Sequence, residues 1–184
     1  MELGTKLKLD LHVHVFEEFL PPSPRAITVG SVERIIEKIK AMGLDGIAVT
    51  EHDTKEYGYR VKQIVETKFN NEVIIIPGRE VETFSIHYIE LDLPWNASTF
   101  RFLAHPGYPG EPEQMEMFHG IEIRNAAHNW HINQQQVMDL AAKHNLILLS
   151  NSDAHYLRNI GMCYSEISPE DLSVACSLDQ NPQS

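Results

Sequence analysis

In the stretch LKLDLHVHV, Leu7 to Val15, two histidines stand one residue apart inside an apolar run. Alternate residues of a strand share a face, so Asp10, His12 and His14 are predicted to point one way and Leu11, Val13 and Val15 the other. Burying three polar groups together is unfavourable unless something binds them. Imidazole and carboxylate are a donor set for a divalent metal. Hydrogen-bonded core histidines are the plainer alternative, and this stretch alone leaves it open.

The same chemistry recurs down the chain. VTEHD ends a short apolar run with Glu51, His52 and Asp53, and IPGRE ends another with Arg79 and Glu80. His87 lies in the next strand, AHP brings His105, GIEIRN ends in Arg124 and Asn125, and LILLSNSDAH brings Asp153 and His155. Nearly every strand thus delivers a His, Asp or Glu at its C-terminal end, the rim where parallel α/β folds and barrels bind ligands. Six of the ten histidines fall in this set. Any one of them alone is ordinary, but their joint placement argues a polynuclear site for Zn2+, Mn2+ or Fe2+. His119, His128, His131 and His144 are expected at the surface, with His128 and His131 in a loop from which they could approach the pocket.

The positioning elements follow from periodicity. SVERIIEKIKAMG is predicted to be a helix, with Ser31 as N-cap, Val32, Ile35, Ile36 and Ile39 as its apolar stripe and Gly43 at its end. A second helix is predicted near Val61–Phe69. A third covers INQQQVMDLAAKHN, with Asn133 and Gln136 as a capping box. A last one covers SPEDLSVACSL, with Ser168 as N-cap and Pro169 at its first position. About seven strands alternate with these helices, which argues an α/β domain with a largely parallel sheet. The 184 residues suit one domain, expected over residues 1–177 with a frayed tail over 178–184. A full (β/α)8 barrel takes ~250 residues, so several crossovers must be loops.

Composition excludes some partners. Lys plus Arg is 15 against 26 Asp plus Glu, a formal charge of −11, so duplex nucleic acid is not an expected ligand. Bound cations would make a pocket locally positive whatever the global charge. Cys163 and Cys176 form no CxxC pair, which fits a reducing compartment. The start lacks the pattern of a signal peptide and no apolar run approaches ~18 residues, so a cytoplasmic protein with no membrane partner is expected.

The fragments DLHVH, TEHD, PGRE, HY, AHPG, IEIRN and SDAH occur in that order over about Leu9 to Gly161, and the set resembles the PHP family (polymerase and histidinol phosphatase domains). The resemblance implies a compact, distorted seven-stranded (β/α) barrel, two or three divalent metal ions (Zn, Mn or Fe) and phosphoester hydrolysis. It implies a first metal held by His12, His14, Glu80 and Asp153. Glu80 would bridge to a second, held also by His87 and His105. A third would be held by His52, His155 and a residue soon after the HxH, where many members carry Asp in a Ser-Asp-Gly stretch. Here VFEEFLPPSP replaces it, and Glu18 is the candidate because it keeps the parity of His12 and His14 if the strand continues. TEHD in place of the commoner TDHD leaves the ligand His52 unchanged.

The expected function is hydrolysis of a phosphomonoester or phosphodiester of a small molecule or nucleotide by in-line attack of a metal-bound hydroxide, with metals ~3.5–4 Å apart. Arg79, Arg124 and Arg158 are candidates to clamp phosphate. Asp53 or His155 would protonate the leaving alcohol or orient a ligand. The substrate range extends to a short oligonucleotide, and the loops FEEFLPPSPR and HPGYPGEPEQ would select within it. Two alternatives compete. An amidohydrolase-like C–N hydrolase also uses HxH and a late Asp, but often needs a bridging carboxylated lysine, and no lysine stands at a strand end. A non-catalytic metal- or phosphate-binding domain is the other. Sequence leaves the oligomeric state open.

Overall fold

The computed structural model describes residues 4–19, 23–108, 110 and 114–177, apart from the side chains of Glu18 and Phe19. The expected tail, 178–184, lies outside these residues. The strands are β1 (Leu7–Asp10), β2 (Gly46–Val49), β3 (Ile74–Glu82), β4 (His87–Asp92), β5 (Thr99–Leu103), β6 (Gly120–Asn125), β7 (Ile147–Asn151) and β8 (Ser165–Ile167). The α-helices are α1 (Val15–Phe19), α2 (Val29–Ala41), α3 (Glu56–Lys68), α4 (Gln134–His144) and α5 (Pro169–Ser177). Among the described residues, no helix is long and apolar enough to cross a membrane.

The strands form one sheet in the order β7-β6-β5-β4-β3-β2-β1-β8. It curls until its two edge strands meet. There the Ser165 hydroxyl donates to the Ser150 carbonyl at 2.9 Å and accepts the Ser150 N–H at 2.8 Å, so a side chain spans the seam of a nearly closed α/β barrel. Sequence pattern leads to seven strands. The eighth, β8, is three residues long, too short to show alternation, and pairs antiparallel with β1.

The sheet is mixed rather than largely parallel. β1, β2 and β3 run parallel, as do β5, β6 and β7. β3–β4 and β4–β5 are antiparallel. The link between Glu82 and His87 is too short for a crossover helix, so the chain must turn back on itself as a hairpin. That reversal has a functional consequence: the first residue of β4, His87, lands on the rim where the parallel strands end.

Interior and exterior cores are separate. Leu9, Leu11, Ala48, Ile76, Ile89, Leu91, Phe100, Phe102, Leu149 and Ile167 pack inside, with Leu172 and Cys176 of α5. Outside, the stripe Val32, Ile35, Ile36 and Ile39 of α2 and Val61, Ile64 and Val65 of α3 pack on Ile47, Val49 and Ile75. The N-cap of α2 is Thr28, whose hydroxyl accepts from the N–H of Ser31; Ser31 occupies the third helical position of a capping box instead of the cap itself. Asn133 caps α4 and accepts from the N–H of Gln136, which is the Asn133 half of the expected capping box.

Strand β1 stops at Asp10 instead of running to Val15. Leu7, Leu9 and Leu11 belong to the interior core, but Val13 and Val15 belong to the helix-side core. The alternation therefore slips after Leu11, and Asp10 does not share a face with His12 and His14. Its carboxylate accepts the N–H groups of Ser152 and Gly161 instead.

Candidate metal centre

At the rim the backbone bends sharply. Asp53, His105 and Asp153 have φ of 61°, 27° and 53°, an uncommon region for residues other than glycine. Such strain clusters at functional sites. It follows the strand ends here and turns the chain so that His105 and Asp153 reach inward. The segment after β1 is held from both sides: the N–H of His14 donates to Ala154, that of Thr50 to Val13, and that of Asp153 to His12.

The side chains converge on Glu80, which is 3% exposed. Its Oε2 lies 3.5 Å from His12 Nε2, 3.2 Å from His14 Nε2 and 3.5 Å from His52 Nδ1. Its Oε1 lies 3.3 Å from His87 Nδ1 and 3.2 Å from His105 Nε2. One carboxylate thus presents each oxygen to a different set of histidines. Burial opposes the charge of Glu80, but His12, His105 and His14 outweigh it and hold the carboxyl far below its usual range. Burial, with His12 beside it, pushes His14 down to about 4, so its imidazole is neutral at pH 7.

The donor set fits divalent cations. His12 and His14 aim their Nε2 atoms at each other across 2.9 Å. Asp153 Oδ1 is buried with no hydrogen-bond partner, although it sits 3.5 Å from His12 Nε2, His14 Nε2 and His155 Nδ1. A buried carboxylate oxygen without a donor, beside two imidazole nitrogens 2.9 Å apart, is an arrangement that a cation resolves. Three compact triads share members: His12–His14–Glu80, Glu80–His87–His105 and His14–His52–His155.

The residue near the third triad is Glu17. Its Oε1 lies 3.1 Å from His52 Nε2 and its Oε2 3.6 Å from His155 Nε2. The argument for Glu18 fails because the chain turns into α1 at Val15, which abolishes strand parity; the Glu18 side chain itself lies outside the described residues. Glu51 holds the start of α1 by accepting the N–H of Phe16 at 2.9 Å, and burial pushes its carboxyl up to about 8. His155 donates Nδ1–H to the Asp153 carbonyl at 3.0 Å, which leaves Nε2 as its free lone pair.

Two buried residues escaped the sequence reading as site members. Glu122, fully buried, receives His12 Nδ1, the His105 N–H at 2.7 Å, Asn125 Nδ2 at 2.9 Å and Asn151 Nδ2 at 2.8 Å. Asn125 also donates to Asp153 Oδ2 at 3.1 Å and accepts the N–H groups of Ala127 and His128. A bulge between Glu122 and Arg124 resets the alternation, so residues three apart both face in. The available signal was an acid lying between two isoleucines of a buried strand.

The expected clamps have other partners in this structure. Arg124 is exposed beside Cys163, and Arg79 binds Glu90 on the outside through Nε at 2.8 Å and its terminal nitrogen at 2.7 Å. Arg158 lies over the Tyr156 ring at 4.2 Å, next in chain to His155. Asp53 is exposed, and its N–H anchors the turn to the Glu80 carbonyl. His119 is buried and accepts the Arg101 N–H at 2.9 Å, contrary to the expected surface position. His128 does approach the centre, with Nε2 3.7 Å from Asp153 Oδ2.

A sequence profile described as PHP-associated matches residues 131–178. No curated protein matches the chain in sequence. Three solved structures share its fold. A two-domain protein of Bacteroides vulgatus ATCC 8482, containing a predicted PHP-like metal-dependent phosphoesterase, has TM-score 0.61 and 18% identity over 94% of this chain; the chain spans 62% of that protein's length. PsfC of Pseudomonas syringae PB-5123 has TM-score 0.64 and 18% identity over 91% of this chain and 87% of its own. A provisionally assigned metal-dependent phosphoesterase of Bifidobacterium adolescentis ATCC 15703 has TM-score 0.64 and 13% identity over 91% of this chain and 96% of its own. The PHP-associated match over residues 131–178 and the fold shared with PHP-like structures agree with the resemblance carried by the ordered motifs.

Proposed function

We propose that this chain is a metal-dependent phosphoesterase that hydrolyses a phosphomonoester or phosphodiester of a small molecule or nucleotide. The observation that carries the reading is the division of Glu80: one oxygen toward His12, His14 and His52, the other toward His87 and His105. A carboxylate so placed suits a bridge between two cations, and two-cation sites suit phosphoryl transfer. His12, His14, Glu80 and Asp153 would hold one ion, Glu80, His87 and His105 a second, and His52, His155 and Glu17 a third. Zn, Mn and Fe match imidazole and carboxylate ligands. When bound, such ions supply electrophilic charge to the phosphoryl oxygens and acidify water.

The chain's own groups set the conditions. Leu11, Ala104 and Ile89, all fully buried in the interior core, adjoin His12, His105 and Glu80 through the chain or the strand pairing, which favours a dry lower side to the cluster. His52, His87 and His155 are part-exposed at 33%, 17% and 35%, so the centre opens toward them. Glu17 sits at this mouth, and the Nδ1–H of His155 is committed to Asp153, which favours a ligand role for His155 over that of proton donor to the leaving alcohol.

The amidohydrolase alternative is less well supported, because the bridging position holds Glu80 and Lys55 is committed to Asp92 at 2.6 Å. The test combines elemental analysis of purified protein with a hydrolysis panel of histidinol phosphate, nucleotides, phosphotyrosine peptide and short oligonucleotides with added Mn2+. Two or more ions per chain and phosphoester cleavage abolished by chelator are expected. A chain that stays metal-free after incubation with each ion, or that cleaves amides while ignoring every phosphoester, overturns the proposal.

A further inference from the structure

A neutral imidazole that gives one ring nitrogen to a cation carries its proton on the other, and that proton needs an acceptor. His12 has Glu122 at 3.1 Å from its Nδ1, and His155 has the Asp153 carbonyl at 3.0 Å from its Nδ1. His52 is different: its Nδ1 is buried and has no hydrogen-bond partner. The other nitrogen of His52, Nε2, faces Glu17 at 3.1 Å, and the same carboxylate reaches His155 Nε2 at 3.6 Å. Nε2 is therefore the nitrogen placed for the third candidate cation, and Nδ1 is the one that must hold the proton.

Two carboxylate oxygens lie 3.5 Å from His52 Nδ1: Oε2 of Glu80 and Oε1 of Glu82. Glu80 Oε2 also faces Nε2 of His12 at 3.5 Å and Nε2 of His14 at 3.2 Å, so it is turned toward the first candidate cation. Glu82 is left for the His52 proton. The strand puts it there. Alternate residues of β3 share a face, so Glu82 stands one step beyond Glu80 on the inner side while Arg79 turns out to Glu90. His52 pairs with Glu80 across a parallel bridge, and His87 stands opposite Glu82 in the antiparallel register. Glu82 is thus set between rings of two different triads, with its Oε1 3.8 Å from His87 Nδ1.

The backbone of Glu82 is held by the turn that follows it. The Thr83 hydroxyl donates to the Ile86 carbonyl at 2.8 Å and accepts the Ile86 N–H at 3.0 Å. A side-chain shift of about 0.5 Å then brings the carboxylate into ordinary hydrogen-bond range of His52 Nδ1. Glu82 lies between the fragments PGRE and HY and belongs to neither. We propose that Glu82 is a positioning residue for the third candidate cation: it accepts the Nδ1–H of His52 and so turns the Nε2 lone pair toward Glu17 and His155. Its effect runs through His52, and Glu82 is not itself a ligand. This rests on the metal-binding part of the reading above and not on the bond that is cleaved.

The test reads the ring proton and the metal together. Protein labelled with nitrogen-15 histidine is loaded with Zn2+, and two-bond proton–nitrogen spectra report which nitrogen of His52 carries the proton; His52→Gln identifies its signals. Zinc per chain and chelator competition are measured on the same samples for the wild type, Glu82→Ala and Glu82→Gln. In the wild type, His52 should show a protonated Nδ1 and a zinc-bound Nε2. Glu82→Ala should weaken one ion roughly 10- to 100-fold, as for loss of an acceptor behind a ligand histidine, and leave the pair that shares Glu80 in place. Its His52 Nδ1–H resonance should move upfield as the acceptor is lost. Glu82→Gln keeps an acceptor oxygen and should restore most of the affinity and of the resonance position. A wild-type proton on Nε2, or a Glu82→Ala protein with unchanged ions and unchanged His52 resonance, overturns the proposal. A Glu82→Gln protein as impaired as Glu82→Ala makes the carboxylate a ligand and overturns it as well. Zinc in the two triads that share Glu80 with none on His52 overturns the proposal and leaves the phosphoesterase reading standing. The expected zinc and spectral results in a protein that cleaves no phosphoester retire that reading and keep the role of Glu82.

Discussion

Glu122 faces His12 Nδ1 at 3.1 Å, with neither side chain exposed. An ionised carboxylate only accepts, so Nδ1 must carry the proton. Burial opposes the charge on Glu122, but His12 beside it wins and holds the carboxyl below its usual range. Burial opposes the charge on His12 as well, but Asp153, Glu122 and Glu80 outweigh it and hold the imidazole well above its usual range; a cation would have to displace the Nε2 proton, and Glu122 would then keep Nδ1–H and leave Nε2 turned toward His14, Glu80 and Asp153.

Glu122→Ala is therefore expected to weaken metal binding roughly 10- to 100-fold, the usual consequence of losing such a partner. It also strips acceptors from the His105 N–H and from the amides of Asn125 and Asn151. Each buried donor left unpaired costs about 1–3 kcal/mol, so the melting temperature should fall in the chelated protein too. Glu122→Gln keeps one acceptor oxygen and should fall between. Metal affinity measured by chelator competition is the deciding readout; an affinity unchanged in Glu122→Ala would remove the positioning role.

Metal should also stabilise the wild-type fold. The centre crowds Glu80, Asp153 and six imidazoles into the top of the barrel, and a cation binding there binds the folded state alone. Ligand at 100 times its Kd contributes about 2.7 kcal/mol per site. At about 2–4 °C per kcal/mol for a chain of this size, the melting temperature should rise by at least 5 °C or so on saturating one site. Differential scanning fluorimetry with and without Mn2+ or Zn2+ checks this. Identical melting curves at saturating metal would contradict it.

Most of the candidate ligand residues are legible because strand ends are legible: they stand where an apolar run stops, whereas His87 opens β4. What could not be read was anything set by a break in period. The slip after Leu11 moves Asp10 out of the set, and the bulge after Glu122 brings both Glu122 and Asn125 inward. The turn into α1 transfers the candidate third-site carboxylate from Glu18 to Glu17. A side-chain period of two makes any such slip exchange inward for outward residues. β8, only three residues long, carries no period at all.

Packing of α3 on the barrel gives an independent pH test away from the centre. Tyr59 donates its hydroxyl to Asp92 Oδ2 at 2.6 Å, and that hydrogen bond, with burial and the Asp92 charge, pushes the phenol up to about 12. The raised pKa means the contact stabilises the fold fully below pH 10 and is lost as pH rises through about 12. One of the six tyrosines should therefore titrate late when phenolate absorbance is followed at alkaline pH. Asp92→Asn should bring that tyrosine back toward 10. A wild-type curve with no late step would show that the bond does not persist in solution.

The sharpest separation is among Glu80, Glu17 and Glu18. Removing the Glu80 carboxylate leaves the cations of two triads facing each other with no protein anion between them. Glu80→Ala should then lose both ions together and nearly all activity. Glu17 reaches His52 and His155 across the mouth, with His14 and Glu51 beside it. Glu17→Ala should lower the occupancy of one ion and leave the pair held through Glu80 in place. Glu18→Ala serves as the neighbour control; away from the ligand set, a surface change shifts stability by less than about 0.5 kcal/mol. Metal per chain and kcat/KM for the three variants, measured side by side, give the answer. A Glu80→Ala protein that keeps its full metal complement would overturn the bridge, and loss of an ion from Glu18→Ala but not from Glu17→Ala would return the third position to Glu18.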